Sequence, residues 1–341
     1  MSMEERKIFQ YDAPFTLESG TTIPGYRLAY HTLGTLNETK SNVVWVFHAL
    51  TGSSEVGDWW AGLVGGGKLF DPERYFILCV NMPGSCYGST GPLDLDPVTG
   101  KTWYHRFPFF TPRDMARSYV PLCESLGIRK IQVGIGGSMG GQQLLEWAIE
   151  EPERFESIIP IATNAVHSAW GRAFNASQRM CIENDVTWKE EDPSAGLKGM
   201  EIARGIGLIS YRHYDTYTKT QPDGDGIEGF RAESYQRYQG EKLSKRFNAF
   251  SYFALSKGMD AHNVGRDRGS VEKALQRIQA RTLSIGVSSD ILFPPSEQYY
   301  IGQQVPGAET AILESLYGHD GFLLEYAQLE NIIGTFLNDQ K

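Results

Sequence analysis

The sequence predicts an α/β protein whose mostly parallel β-sheet carries helices on both faces. Short apolar runs rich in β-branched and aromatic residues alternate with segments of helical periodicity, as in α/β domains. These runs lack the polar alternation of a strand with one face in water, so we expect them to be buried on both faces. From about residue 165 to 280 the chain has helical stretches and no clear buried strand. We therefore predict an α/β core from residues 1–164 and 281–341, with residues 165–280 inserted as a helical lid.

The individual elements follow in chain order. The stretch PGYRLAYHTLG alternates like a strand of an N-terminal hairpin or meander. Continuous apolar runs predict buried strands over 41–50, 73–81, 130–137, 156–163, 281–290 and 309–315. Helical periodicity predicts helices over 114–128, 139–155, 294–305 and 322–339, with Pro152 ending the second of these. Residues 220–229, TQPDGDGIEG, predict a polar loop.

Charge and composition exclude several classes of protein. The formal net charge of -9 argues against nucleic acid as the main partner. No apolar run approaches the ~18 residues of a membrane span, and the N-terminus has no apolar core typical of a secretory signal. The four cysteines, Cys79, Cys86, Cys123 and Cys181, form no C-x-x-C pair, so we expect neither a metal site nor a disulfide framework. A reduced, cytoplasmic protein fits these features best.

The stretch GIGGSMGG (134–141) lies between a predicted strand and a predicted helix. It contains the pattern G-x-S-x-G centred on Ser138, with Gly136 and Gly140 at its ends. In that context the pattern is typical of a nucleophile elbow, a sharp turn that exposes a serine hydroxyl at the edge of an α/β-hydrolase sheet. We interpret Ser138 as a candidate nucleophile.

A nucleophilic serine needs a base and an acid that orients the base. In this fold the acid and then the histidine follow the serine along the chain. His319 lies between the last predicted strand and the last helix, whereas His213 and His262 lie in the predicted lid. Asp290 follows the 281–290 strand. Two alternatives stay open for the acid: Asp290 as a helix N-cap, and Asp260 in the predicted lid as its rival.

An oxyanion hole should accompany such a triad. One donor would be the backbone N–H of Met139, directly after the nucleophile, and the other that of Leu50 in the loop after the 41–50 strand. The glycine-rich stretch GLVGGGKL (62–69) matches most of a phosphate-binding loop. It has Leu69 where a metal-binding Ser or Thr should stand, and no buried strand precedes it, so we predict a plain loop.

Several longer motifs carry a family resemblance. The segments HALTG, GSTGP, GGSMGGQQLLEWA, ESYQRYQGEKLSKRFNAFSY and YGHDGFL together resemble the homoserine O-acetyltransferase family of α/β-hydrolase-fold acyltransferases, over about residues 12–338. The resemblance implies a cytoplasmic step of methionine biosynthesis. Acetyl-CoA would acetylate Ser138, and the acetyl group would pass to the hydroxyl of L-homoserine with Asp290 and His319 completing the triad. No bound cofactor is implied, because acetyl-CoA is a co-substrate.

The resemblance also implies an acceptor site. The segment IARGIGLISY resembles a family motif that places Arg204 on the substrate carboxylate and Tyr211 nearby. Asp320 would hold the substrate ammonium, and Thr51 would contact the substrate beside Leu50. From the residues alone, a salt bridge within the lid is the favoured interpretation of Arg204, and a solvated loop carboxylate explains Asp320 equally well.

The donor prediction depends on a single position. Family members that use succinyl-CoA tend to carry arginine two places after the triad aspartate, and here that residue is Leu292, which favours acetyl. GLISY also departs from the more usual GHxTY of the family, so serine as acceptor and succinyl-CoA as donor stay open. A serine hydrolase with the same triad is a further alternative, and a non-catalytic binding protein is a less favoured one. Related enzymes pair through their lids, so we expect a homodimer.

Overall fold

The computed structural model describes residues 5–339. Its strands are β1 (Lys7–Tyr11), β2 (Phe15–Thr16), β3 (Thr22–Ile23), β4 (Tyr26–Leu33), β5 (Val43–Phe47), β6 (Phe76–Val80), β7 (Ile131–Gly137), β8 (Phe155–Ile161), β9 (Arg281–Val287) and β10 (Glu309–Leu313). Its α-helices are α1 (Val56–Trp59), α2 (Pro112–Ser125), α3 (Met139–Glu150), α4 (Ala169–Glu183), α5 (Leu197–Tyr211), α6 (Tyr214–Thr220), α7 (Arg231–Ser244), α8 (Ala249–Asp260), α9 (Val271–Leu275), α10 (Pro295–Gln304) and α11 (Tyr326–Asn338). Two 3-10 helices cover Tyr104–Arg106 and Gly318–Leu323.

Eight strands form one sheet in the order β1-β4-β6-β5-β7-β8-β9-β10. Strand β4 is antiparallel to both of its neighbours, β1 and β6. The other six strands, β6, β5, β7, β8, β9 and β10, are parallel to one another. The predicted α/β-hydrolase class, with its mostly parallel sheet, is therefore confirmed. Because parallel strands end at the same edge, the loops after β5, β7, β9 and β10 share one rim of the sheet.

Apolar side chains cover both faces of the sheet. Every residue of β5 is buried. Trp45 belongs to the core on one face, where it packs edge to face against Trp147 of α3 with ring centroids 4.8 Å apart. Val44 and Val46 point into the core on the other face. Burial on both faces explains why β5 reads as an unbroken apolar run, and it fixes the position of the loop that follows.

The chain between β8 and β9 forms six helices, α4 to α9, and no strand of the described sheet. Its C-terminal end is tied to the core by buried charges. Arg113 of α2 donates to Glu146 of α3 (3.0 Å), and Arg268 donates to the other side of the same carboxylate oxygen (2.7 Å). Glu146 therefore has two guanidinium partners, and such pairing offsets part of the cost of removing these charges from water. We refer to residues 162–280 as the helical insertion.

The predicted elements and the observed ones differ mainly at helix ends. Helix α2 begins two residues earlier than predicted, because Thr111 and Asp114 form a reciprocal capping box in front of Pro112. The last helix begins at Tyr326 instead of residue 322, because Gly318–Leu323 forms a separate 3-10 helix. Within residues 5–339 no helix is both long and apolar enough to cross a lipid bilayer.

Candidate active site

Ser138 stands at the turn between β7 and α3. Its backbone has φ 57 and ψ -126, a conformation that non-glycine residues adopt rarely. Holding a serine there costs on the order of 1–3 kcal/mol, which the surrounding structure must offset. Sharp turns of this kind push the side chain out of the strand and away from the helix. The predicted elbow is therefore present in the geometry, with Ser138 at its tip.

Two glycines allow the strand and the helix to come this close. A Cβ at Gly140 would lie inside the van der Waals envelope of the Phe47 carbonyl oxygen at the end of β5. A Cβ at Gly136 would lie 2.8 Å from the Gly140 carbonyl carbon. Backbone atoms cannot move aside as flexible side chains can, so both positions require glycine. The first turn of α3 consequently lies directly against the loop after β5.

Asp290 and His319 form a buried pair at the same rim. His319 Nδ1 lies 2.7 Å from Asp290 Oδ2, and both residues are buried. The other oxygen of the carboxylate, Oδ1, accepts from the backbone N–H groups of Leu292 (2.8 Å) and Phe293 (2.9 Å). Because an ionised carboxylate can only accept, Nδ1 carries the hydrogen and Nε2 of the neutral imidazole keeps its lone pair. That is the tautomer a general base needs.

The His319 ring is held over the elbow by aromatic packing. Its centroid lies 5.1 Å from that of Phe293 and 5.4 Å from that of Phe322. Phe322 in turn fills the space above Gly137, since a Cβ at Gly137 would overlap its ring. The loop that carries His319 therefore packs on the residue directly before Ser138. The structure brings Ser138, Asp290 and His319 to one place.

The alternative acids and bases are engaged elsewhere. Asp260 is paired with Arg179 at 2.6 Å. His262 is buried and contacts the Asn164 carbonyl through Nε2 at 2.9 Å. His213 Nδ1 accepts from the Asp215 N–H at the start of α6. Helix α10 begins at residue 295 after Pro294, so Asp290 is not its N-cap.

The two expected oxyanion donors lie on adjoining segments. Leu50 belongs to the tight turn after β5, in which Gly52 N–H donates to the Ala49 carbonyl (2.9 Å). Met139 is the first residue of α3. Among residues 5–339 we find no hydrogen-bond acceptor for the backbone N–H of either residue. Both donors are therefore available to a ligand, as an oxyanion hole requires.

His48 anchors the turn that carries Leu50. Its Nδ1 contacts the Ala49 carbonyl at 2.9 Å, and its Nε2 accepts from the Met82 backbone N–H at 3.1 Å. Burial lowers the pKa of His48 to about 4, so the ring is neutral and can make both bonds at once. The turn position depends on this neutral ring.

Arg204 and Tyr211 of α5 reach the same side of the site. The Arg204 guanidinium carbon lies 5.6 Å from the Tyr211 ring centroid. The Tyr211 and His319 ring centroids lie 5.9 Å apart, with 40° between the ring planes. Within residues 5–339 Arg204 has no carboxylate partner, so a salt bridge of the insertion does not explain it. Burial raises the pKa of Tyr211, the charge of Arg204 opposes that rise, and Asp320 adds to it.

Asp320 and Thr51 have partners that sequence reasoning missed. Arg212 Nε lies 3.2 Å from Asp320 Oδ2, and the Arg212 guanidinium also donates to the Tyr235 hydroxyl. The Thr51 carbonyl accepts from Arg246 Nη1 at 2.8 Å. Two signals in the sequence were available: Arg212 directly follows Tyr211, and Arg246 lies in the ESYQRYQGEKLSKRF segment that carries the family resemblance.

Two further sequence predictions concern Leu292 and the glycine-rich loop. Leu292 is buried in the apolar core, with its backbone N–H bound to Asp290.

In the glycine-rich loop, the Gly67 N–H donates to Asp71 Oδ2 at 2.6 Å. A carboxylate already occupies the position that a phosphate would need there, which agrees with a plain loop.

Comparison with known proteins places these features in context. A family model for the α/β hydrolase fold matches residues 42–201. A homoserine O-acetyltransferase from Cyclobacterium marinum is 48% identical over 332 residues, which cover 97% of this chain and 95% of that protein. The crystal structure of homoserine O-acetyltransferase from Bacillus anthracis superposes with a TM-score of 0.92 at 25% identity, covering 99% and 98% of the two chains. An acetylester hydrolase from Corynebacterium glutamicum shares the fold, with a TM-score of 0.88 at 22% identity over 98% and 96% of the chains.

Proposed function

The chain belongs to the homoserine O-acetyltransferase family, and from this premise we propose that it transfers the acetyl group of acetyl-CoA to the hydroxyl of L-homoserine. The observation that carries the proposal is the buried Asp290–His319 pair, joined at 2.7 Å beside the Ser138 elbow. This arrangement supports covalent acyl transfer through a serine. The product would be O-acetyl-L-homoserine, a step of methionine biosynthesis, and we propose that the enzyme acts in the cytoplasm.

In the first half-reaction His319 Nε2 takes the proton of the Ser138 hydroxyl while Oγ attacks the thioester carbonyl. The carbonyl oxygen becomes negative, and the N–H groups of Leu50 and Met139 stabilise it. The tetrahedral intermediate then collapses. The C–S bond breaks, the CoA sulfur receives the proton from His319, and acetyl-Ser138 forms. Asp290 stabilises the imidazolium that exists between the two proton transfers.

In the second half-reaction the homoserine hydroxyl replaces the thiol. His319 accepts its proton, and the oxygen attacks the acetyl-Ser138 carbonyl. The same two N–H groups stabilise the second oxyanion. The ester bond to Oγ then breaks, and His319 returns the proton to Ser138. Neither half-reaction needs a resident cofactor or metal, because proton transfer and oxyanion stabilisation suffice.

Acceptor selection falls to residues around His319. Arg204 would bind the homoserine carboxylate, with Tyr211 beside it, and Thr51 in the turn after β5 would also contact the substrate. Asp320 would bind the ammonium through the part of its carboxylate that Arg212 leaves open. An amino acid presents these two charges at a fixed distance from its hydroxyl, so a cation and an anion on the protein can align that hydroxyl with the acetyl group. The observation that best supports this assignment is that Arg204 has no carboxylate partner among the described residues.

The decisive experiment measures thiol release from acetyl-CoA with homoserine, with serine and without acceptor. We expect fast release with homoserine, slower release with serine and only slow hydrolysis in water. Initial rates should give parallel double-reciprocal lines, as in a ping-pong mechanism. Ser138→Ala should retain less than about one thousandth of the activity. Equal thiol release with and without acceptor would instead identify a hydrolase.

Two alternatives retain physical support. Water can resolve the same acyl-enzyme, so a serine hydrolase uses this triad equally well, but a hydrolase has no need of a residue such as Arg204 beside the base. Serine is one methylene shorter than homoserine and would present its hydroxyl farther from the acetyl group. A binding protein without activity is disfavoured because all three triad positions are occupied and two of them are hydrogen-bonded.

We further propose that the enzyme is a homodimer joined through the insertion. Helices α4 and α5 enclose an open, mostly apolar groove of about 790 Å³ that includes Met180, Val186 and Ile202. Met180 is 57% and Ile202 61% exposed, which is unusual for large apolar side chains on one surface. Light scattering at micromolar concentration should give a dimer mass. Met180→Glu with Ile202→Glu should give monomers, whereas the control Val98→Glu, also on an exposed side chain, should not.

A further inference from the structure

The peptide group between Ser138 and Met139 links the candidate nucleophile to an expected oxyanion donor. Its C=O is the carbonyl of Ser138, and its N–H is that of Met139. The peptide is trans, so the C=O and N–H bonds point in opposite directions within one plane. Any group that fixes the direction of the Ser138 carbonyl therefore also fixes the direction in which the Met139 N–H points.

Thr163 is such a group. Its hydroxyl donates to the Ser138 carbonyl oxygen at 2.8 Å. We propose that Thr163 is a positioning residue that aims the Met139 N–H at the oxyanion. The inference rests on the proposed acyl-serine chemistry, since it gives the Met139 N–H its task. A hydroxyl that donates to the carbonyl also polarises the peptide, which makes the N–H at its other end a stronger donor.

The position of Thr163 is itself fixed. The residue is fully buried, two positions after the end of β8. Its backbone carbonyl accepts from Gln298 Nε2 of α10 at 2.5 Å. Its side chain packs over Gly141, where an added Cβ would lie 2.7 Å from Thr163 Cβ. Because the space around the side chain is filled, the hydroxyl remains directed at the elbow.

The end of β8 and the residues after it thus hold both backbone polar groups of Ser138. The Ser138 N–H donates to the Ile161 carbonyl at 2.9 Å, and the Ser138 carbonyl accepts from Thr163 two residues further on. The same carbonyl also accepts the Gly141 N–H (3.0 Å) and the Gln142 N–H (3.3 Å) from the first turn of α3. Those bonds would remain without the hydroxyl, so we expect its removal to weaken the oxyanion donor without abolishing it.

The test uses Thr163→Val, which keeps the side-chain shape and removes the donor, and Thr163→Ser, which restores it. The first readout is the pre-steady-state burst of p-nitrophenol from p-nitrophenyl acetate, which needs no homoserine. The second is the affinity for a methyl trifluoromethyl ketone, whose adduct with a serine carries a full oxyanion. The third is the affinity for CoA, which forms no oxyanion.

We expect Thr163→Val to slow the burst about tenfold and to lower the affinity for the ketone by a similar factor. The loss should be smaller than the factor of about 100 or more for removing an oxyanion donor outright, because the Met139 N–H remains. CoA binding should stay within about twofold, and Thr163→Ser should recover both losses. The matched control is Thr282→Val in β9, another buried threonine, whose hydroxyl donates to the Ala280 carbonyl (2.9 Å). If Thr163→Val does not fold, Thr163→Ala gives the same comparison.

Two results would overturn the inference. An unchanged burst in Thr163→Val would remove the role of the hydroxyl. An equal loss of affinity for the ketone and for CoA would indicate a general loss of structure instead of a weakened oxyanion donor. The variant Ser138→Ala separates this inference from the proposed function: a burst that survives in Ser138→Ala would refute the proposed nucleophile, whereas a burst lost there but kept in Thr163→Val would refute Thr163 alone.

Discussion

The carboxylate of Asp320 is paired with the guanidinium of Arg212, whose Nε lies 3.2 Å from Oδ2. Each partner directly follows a residue of the site: Arg212 follows Tyr211 at the end of α5, and Asp320 follows His319. The pair therefore connects the insertion to the loop of the candidate base. It also leaves Asp320 with one oxygen engaged before any substrate binds, so the expected ammonium contact must use the remaining acceptor positions.

Arg212→Gln should raise KM for homoserine about tenfold. Arg212 keeps Asp320 in place, and without this charge the carboxylate can turn away from the expected ammonium position. The side chains are 25% and 22% exposed, so solvent weakens the pair only partly. Arg212→Lys should recover part of the loss. Steady-state kinetics with homoserine at saturating acetyl-CoA measures the effect. A lower KM in Arg212→Gln would show that Arg212 competes with the substrate for Asp320.

Arg204→Ala should lower kcat/KM for homoserine about 30-fold or more. Losing one bidentate contact to a carboxylate in a partly buried site costs roughly 2–5 kcal/mol, and about 1.4 kcal/mol corresponds to a factor of ten. Slow hydrolysis of the acetyl-enzyme should change little, because water has no carboxylate. The control is Arg237→Ala, an exposed arginine of α7 paired with Glu233. A parallel collapse of the hydrolysis rate would mean that Arg204 supports the fold or the donor site.

The parts of the site that the sequence predicted share one physical basis. Ser138, Asp290 and His319 each follow a parallel strand, and parallel strands end at one rim whatever the lengths of the connections. Of these strands β10 was predicted to be buried but lies at the sheet edge, where only Leu313 is buried. The apolar runs that mark β7, β9 and β10 were therefore enough to bring three distant residues together. Chain order alone does not separate Asp260 from Asp290, because both lie between Ser138 and His319. The structure separates them, since Asp260 is paired with Arg179 whereas Asp290 contacts His319.

The residues that escaped prediction depend on contacts that no local pattern encodes. The Arg212–Asp320 pair spans 108 positions and depends on how the end of α5 docks onto the Gly318–Leu323 helix. The bond from Thr163 to Ser138 depends on the direction of one peptide plane. The insertion gave weaker signals than the core because its helices carry polar residues on several faces; in α7, for example, Gly240 and Leu243 are the buried residues of the 14.

Leu292→Arg should shift donor preference towards succinyl-CoA. The native residue is apolar and buried, and it offers no partner to a succinyl carboxylate. Burying that carboxylate unpaired costs several kcal/mol, so the native enzyme should prefer acetyl-CoA by at least about 100-fold in kcat/KM. The ratio of kcat/KM for the two donors is the measurement. Leu292→Met, which keeps an apolar side chain of similar volume, is the control and should retain the native preference. Comparable native rates with both donors would contradict the argument from Leu292.

The stability of the enzyme should fall as the pH drops from about 6.5 towards 4, in part because of His48. Burial lowers the pKa of His48 to about 4, against an ordinary value of 6.5. In that window the unfolded chain binds a proton at this residue and the folded protein does not. Unfolding therefore takes up protons, and the free energy of unfolding decreases by up to about 1.4 kcal/mol per pH unit for each such histidine.

Two other buried histidines act in the same direction. Burial lowers the pKa of His167 to about 4 and that of His262 to about 3. His48→Asn should therefore remove one contribution of the three and leave a shallower pH dependence. It should also lower stability at pH 8, because Asn cannot bond both the Ala49 carbonyl and the Met82 N–H. Urea unfolding at pH 8, 6 and 5 measures both effects, and the exposed His105→Asn serves as the control. An unchanged slope in His48→Asn would show that His48 is already protonated in the folded enzyme, and the neutral ring that we infer beneath the Leu50 turn would be wrong.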